Sequence, residues 1–307
     1  MKKRAQGQLS LALQTPDADA WIACTRLFSL NYLKQHVLRA DFVPSTDAAG
    51  RLHAKVKALW EEERGRLPRQ HERYTCSAFL EPILADLGWM SLPEKALPFG
   101  QFTRKRPDFC LFTAPDSRNA AAESTEPVRV FSLVATVLEA KQFGHPLDRE
   151  SKTETKGWFP SQQIQDYLRH AKDPTGRRYF NWAILTNGNE WRLYTERSSA
   201  DAYFSFTLVN PDGSLCSLAD FRIFRALFSP DAFIRRADGA CGLDDIQTEA
   251  TRFQTELESN LKRRVFNVLE ELATAFANHP DNAIPQEDYT SIYDASLVFL
   301  YRLLFVL

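Results

Sequence analysis

The chain has 307 residues, 44% of them hydrophobic, enough to bury a sizeable core in one large domain or two. Its 38 basic and 39 acidic residues leave a net charge of −1, which excludes nucleic-acid binding through a global basic field and confines it to local clusters. Five cysteines, at 24, 76, 110, 216 and 241, and six histidines lack the short spacings that zinc sites use, so free thiols in a reducing cytoplasm are expected.

In chain order, the opening MKKRAQGQLS is basic but is not followed by an apolar stretch long enough for a signal peptide; residues 1–15 read as a disordered tail. Apolar residues at helical spacing predict a helix over WIACTRLFSLNYLKQHVLR (21–39) and another over RLHAKVKALWEEERGR (51–66). A third, TCSAFLEPILADLGW (75–89), is stopped by Gly88, with Pro82 near its first turn or kinking it. Strands are predicted near 90–97, 107–113, 129–142, 180–186, 189–195 and 202–209. Residues 114–127 read as an exposed hairpin loop, PSQQIQDYLRHAK (160–172) as a helix, and Asn187-Gly188 as a two-residue hairpin turn. From about 217 helix dominates, over 221–228, 246–278 and the apolar 288–307. Apolar stretches around Arg302 are too short for a membrane span. The expected fold class is α/β, a mixed central sheet flanked by helices with a C-terminal helical extension.

Three acid-x-Lys triplets occur. Glu150/Lys152 and Glu154/Lys156 lie in RESKTETKGW, which has no hydrophobic period and reads as a solvated loop. Glu139/Lys141 instead ends VRVFSLVATVLEAKQF, a run with the composition of a central strand covered on both faces. Two charges there need a reason. Pro107 opens another short apolar run, where its missing N–H does least damage to a sheet, so Asp108 projects from a strand start. Glu139 and Lys141 share a strand face, and a neighbouring strand carrying Asp108 would complete a three-sided cluster. Mg²⁺ suits such a cluster, because it takes one or two carboxylates and leaves the remaining positions to water and phosphate. A strand-end salt bridge between Lys141 and either acid is an equally open reading of the triplet alone. Local basic clusters include Arg104-Lys105-Arg106, immediately before Asp108, which reads as a phosphate-backbone grip or as a solvated turn. A phosphate-cradling Gly-rich loop and a Gly-x-Ser-x-Gly elbow are both absent.

Gln163 and Tyr167 stand four residues apart, on one helical face. The order Pro107-Asp108, Glu139-x-Lys141, Gln163-x-x-x-Tyr167 resembles the PD-(D/E)xK nuclease superfamily, in its subgroup with a Gln-x-x-x-Tyr helix. Ile184-Leu185-Thr186-Asn187-Gly188 with Trp191-Arg192-Leu193-Tyr194, and upstream Phe79-Leu80-Glu81-Pro82-Ile83-Leu84 with Leu87-Gly88-Trp89, resemble segments of Type I and Type IIG restriction enzymes. Roughly residues 21–215 are covered. The resemblance implies a restriction-endonuclease-like domain over 16–215 that hydrolyses double-stranded DNA with Mg²⁺, or Mn²⁺ as a substitute. Asp108, Glu139 and the Ala140 backbone carbonyl would hold the metal, Lys141 would orient or deprotonate water, and Gln163 and Tyr167 would steady the core or the DNA backbone. Arg104, Lys105 and Arg106 would contact DNA. Glu81 stands where some members carry an extra acid, although a surface position on an amphipathic helix is the favoured reading. Residues 216–307 resemble the helical connector, here expected to be truncated, that leads into an adenine-methyltransferase domain. The implied setting is phage defence by restriction-modification in the cytoplasm, with methyltransferase and target-recognition domains in the same or a partner chain. The contrasting expectation is a catalytically silent scaffold that docks a methyltransferase through its C-terminal helices.

Overall fold

The computed structural model describes residues 22–25, 27–39, 45–93, 106–148, 159–197, 202–282, 285 and 288–306. One seven-stranded sheet organises them, in the order β1-β7-β6-β5-β4-β3-β2. The strands are β1 (Ile22–Thr25), β2 (Met90–Pro93), β3 (Phe109–Phe112), β4 (Thr136–Ala140), β5 (Trp182–Thr186), β6 (Glu190–Thr195) and β7 (Tyr203–Thr207). Only β4 and β5 run parallel, Val137 beside Ala183 through Ala140 beside Thr186; the other neighbours are antiparallel. Every residue of β4 and β5 is buried, as their near-continuous apolar sequence requires of strands covered on both faces.

Side-chain alternation divides the core. On one face Cys110, Phe112, Val137, Ala183, Leu185 and Tyr194 pack beneath α5 (Pro115–Glu123), α6 (Pro127–Leu133) and α7 (Pro160–His170), which contribute Ala121, Val130, Phe131, Ile164, Tyr167 and Leu168. On the opposite face Trp191 meets Phe224 and Phe228 edge-on, and Phe206 lies 5.3 Å from Phe224, so α8 (Leu218–Phe228) covers β6 and β7. Helix α2 (Thr46–Glu63) packs beside α8. It is followed by a helical segment made of α3 (Glu72–Thr75), a π-helical stretch over Cys76–Leu80, and α4 (Glu81–Leu87).

Several predicted elements differ. Residues 21–39 form no single helix: β1 pairs with β7, Ile22 against Phe206, and a separate short α1 (Leu30–Gln35) starts after Ser29, whose hydroxyl accepts from the Tyr32 N–H. A free β7 edge outweighed the local helical period, because an edge strand's unpaired amides need partners. Residues 129–142 are split rather than continuous. Pro127 occupies the first turn of α6 and its residues Val130 and Phe131 face the core, so β4 begins only at Thr136. The predicted loop over 114–127 contains α5, and the signals were present: Pro115 at the first turn, Asp116 near the positive helix end and three consecutive alanines. The β5–β6 hairpin forms, but its turn lies one residue later. Asn187 N–H donates to the Glu190 carbonyl and the Asn187 side-chain oxygen accepts from the Asn189 and Glu190 amides, leaving Gly188-Asn189 at the tip. Pro82 sits in the first turn of α4, directly after the π-helical stretch, and Gly88 ends that helix with φ +97°. The 1–15 tail and the Glu150/Lys152 and Glu154/Lys156 triplets lie outside the described residues.

The chain divides into two compact units, the first ending at Gln247 and the second beginning at Thr248, so α8 belongs to the first. Helix α9 (Gly242–Asn278) from Thr248 onward and α10 (Tyr289–Val306) supply the second. There Phe276 meets Phe299 edge-on at 6.4 Å, while Leu257, Leu261, Phe266 and Tyr301 are exposed. Among the described residues no helix is long and apolar enough to cross a membrane.

Candidate active site

Sheet register assembles the site. Phe109 pairs antiparallel with Leu138, and continuing that register by one position sets Asp108 against Glu139. The Ala140 N–H donates to Asp108 Oδ2 at 2.7 Å. An extended residue turns its N–H and C=O toward the same neighbour, so the Ala140 carbonyl leaves β4 on the Asp108 side. Glu139 shares the Val137 face of β4, beneath α7. Its Oε1 accepts from Lys141 Nζ at 2.8 Å, and its Oε2 lies 3.0 Å from the Tyr167 hydroxyl. Gln163 Nε2 donates to that hydroxyl at 2.9 Å, as i,i+4 spacing on α7 permits. The Tyr167 hydroxyl also lies 3.2 Å from the Arg106 carbonyl; having one proton, it donates to one of these two acceptors at a time. Asp108, Glu139, Lys141, Tyr167 and Gln163 therefore converge, although they come from three separate segments.

Burial is graded across the cluster. Glu139 is 3% and Lys141 8% exposed, whereas Asp108 is half-buried and lines an open cleft of about 330 Å³ with Glu72, Arg73, Cys76, Ser77, Glu81 and Phe109. Burial and the Asp108 charge push the Glu139 carboxyl up to about 8, against the opposing pull of Lys141 and the Tyr167 hydroxyl. Burial by itself would lower the Lys141 ammonium, but Glu139, Glu72 and Asp108 outweigh it and hold it above the ordinary lysine range. Burial, reinforced by Asp108, Glu72, Glu81 and Glu139, pushes the Cys76 thiol up to about 12, so it is not a thiolate nucleophile at neutral pH.

The segment after β4 is fastened from three sides. Lys141 N–H donates to the Thr186 carbonyl, Gly144 N–H to the Asn187 carbonyl, and Phe143 N–H to Thr75 Oγ1. The Phe143 ring stacks on Trp60 at 5.4 Å and meets Phe79 edge-on. Gly188, at φ +83°, sits against this wedge: a Cβ there would lie 2.8 Å from Phe143 Cδ2 and 3.2 Å from Thr75 Cγ2. Gly188→Ala is therefore expected to destabilise the fold by about 2–3 kcal/mol, combining the positive-φ penalty with overpacking. A urea midpoint equal to wild type would contradict it.

Two residues around the site, Glu72 on the cleft and the buried Thr75 behind it, carry no mark in the sequence. Glu72 lies 3.9 Å from Lys141 Nζ, and Thr75 anchors the loop; both precede or open a helix predicted to start only at Thr75. Glu81 is exposed and lines the same cleft as Asp108. Arg106 is exposed, and Arg104 and Lys105 lie outside the described residues. Among the described residues, no three His, Cys, Asp or Glu side chains form a metal-holding group by themselves. No family model, curated protein or solved structure matches the chain.

Proposed function

We propose that the chain is a Mg²⁺-dependent DNA endonuclease of the restriction-endonuclease-like type. The observation that carries this reading is the hydrogen-bonded chain Asp108–Ala140 and Lys141–Glu139–Tyr167–Gln163 at the edge of an open cleft. A divalent cation suits the donor set. Burial first, and then the charge of Asp108 across the strand pair, raise the Glu139 carboxyl, a conflict that a proton or a cation relieves. The Gln163 Oε1 atom is buried without a partner beside them. Asp108, Glu139 and the Ala140 carbonyl would hold the ion, which would neutralise phosphoryl oxygens and acidify a bound water.

The remaining chemistry belongs to the chain. Lys141, kept as an ammonium by its carboxylate neighbours, places positive charge beside the phosphoryl group as negative charge builds on it. That protonation favours orienting and stabilising the attack over removing a proton from water. Tyr167 and Gln163 hold the Glu139 carboxyl in a single orientation. Exposed Arg73 on the cleft and Arg106 beside it would meet the DNA backbone. The exposed apolar side chains of the second unit favour a further role as a connector to a methyltransferase and target-recognition partner in restriction-modification.

The test is plasmid cleavage with Mg²⁺, with Mn²⁺ and with EDTA. Wild type should nick or linearise DNA only with metal, and Asp108→Ala should not. Equal behaviour of the two proteins would reject the assignment in favour of a silent scaffold.

A further inference from the structure

Within the second unit, α9 carries a bare stretch. From Gln254 to Arg264 every residue is exposed, on all sides of about three helical turns, and the first fully buried side chain downstream is Leu269. Two of the exposed residues are leucines, Leu257 at 52% and Leu261 at 61%. They stand four apart on one face, which Phe253 extends upstream and Val265 and Val268 extend downstream. An uncovered helix is marginal in water, because most helical stability comes from packing its apolar face, and a stripe of this kind marks an interaction surface.

The charges beside the stripe select its occupant. Glu256 and Glu258 precede Leu261, and Lys262, Arg263 and Arg264 follow it. Glu258 accepts from Gln254 Nε2 at 3.0 Å and Arg263 donates to Asn260 Oδ1 at 2.8 Å, both uncharged partners. Among the described residues Glu258, Lys262, Arg263 and Arg264 enter no ion pair; the pairs nearby are those of Arg252 with Glu249 and Glu256. A second copy laid antiparallel along the stripe, with the two-fold axis at Ser259, sets Leu257 against the second copy's Leu261 and Phe253 against its Val265. Like flanks of the two helices meet in that arrangement, so the acidic turn of each lies over the basic turn of the other, and Glu258 comes beside Lys262 twice. A parallel pair would set acids on acids and bases on bases. A nucleic-acid backbone would be repelled by Glu256 and Glu258 and would leave both leucines uncovered.

We propose that the chain forms an antiparallel homodimer through residues 253–268 of α9. The paired segment is about 24 Å long, at the small end of specific interfaces, so the dimer is reversible. The inference goes beyond the nuclease reading and does not rest on it, since association is measured without metal or DNA.

Sedimentation velocity of the full chain across the micromolar range tests it, with wild type, Leu261→Glu, Glu258→Lys, Lys262→Glu and the double variant Glu258→Lys/Lys262→Glu. All three positions are exposed, so the variants should melt as the dilute wild type does. Wild type is expected to pass from monomer to dimer as concentration rises. Leu261→Glu should weaken association by about 100-fold and each single charge reversal by about tenfold. The double variant should return close to wild type, because the swap restores opposite charges across the pair. A wild type that stays monomeric overturns the proposal and leaves the stripe to a different protein, and a dimer indifferent to Leu261→Glu overturns it as well. Charge reversals without effect, or a double variant as weak as the singles, would overturn the antiparallel register.

Discussion

Lys141→Met is expected to lower metal-dependent DNA cleavage by about 10²–10³-fold, the usual cost of removing one preorganised charge from a transition-state site. Stability should change little, by less than about 1.5 kcal/mol, because methionine refills most of the lysine stem volume. Removing one partner of a buried ion pair ordinarily strands the other charge and is severe. Here Glu139 escapes that fate. Its carboxyl is already pushed up to about 8, so at neutral pH it keeps its proton once the ammonium leaves and remains bonded to Tyr167. Cleavage rates and urea midpoints measured on the same preparations separate the two effects. A variant as active as wild type would remove Lys141 from the chemistry, and one that unfolds would show that the ammonium is needed structurally. Lys141→Arg adds a further distinction, since it retains the charge in a bulkier group: rescue would assign an electrostatic role, and failure would point to shape or proton transfer.

The second large effect concerns pH. In metal-free buffer, wild-type stability is expected to fall as pH rises from about 4.5 toward 8 on account of Glu139. The carboxyl is raised in the folded chain, up to about 8, so across this window the unfolded chain has lost a proton that the folded chain keeps. Folding then takes up a proton, and its stabilising contribution is complete below the unfolded value and lost as pH rises through the folded one. Glu139→Gln removes the titration and keeps the shape. The variant should therefore gain on wild type with rising pH, by a few kcal/mol at the alkaline end, while losing cleavage altogether. Urea midpoints at intervals from pH 4 to 9 read the difference directly. A difference that is flat, or that favours wild type at high pH, would show that Glu139 is ionised throughout and that Lys141 dominates its environment.

The site was legible through chemistry that conflicts with its surroundings. Asp108 after a strand-opening proline, and Glu139 and Lys141 at the end of an otherwise apolar run, stand out because ionic groups are expensive in a buried strand. Gln163 and Tyr167 were readable as a pair because helical spacing relates them. Glu72 carried no such mark: it is one acid in a polar stretch, and only the fold brings it to 3.9 Å from Lys141. The errors in the fold have an equally local cause. Residues 127–133 have the composition of a strand, yet Pro127 and the core contacts of Val130 and Phe131 make them helical. The 114–127 stretch looked like a loop because polar residues flank its alanines, although Pro115 and those alanines favour a helix.

Periodicity and residue type alone determined the α/β class, the buried central strand that ends at Glu139 and Lys141, the helix bearing Gln163 and Tyr167, and which acids and lysine were out of place. Those properties depend on spacings of a few residues, which a sequence displays directly. Tertiary structure alone decided that β1 pairs with β7, that β3 lies antiparallel to β4 so that Asp108 meets the Ala140 amide, and that Thr75, Phe143 and Gly188 close into the wedge behind Lys141. Each of these joins segments tens of residues apart. Their pairing is chosen by the burial and hydrogen bonding of the whole sheet, a global balance that no local stretch of sequence contains.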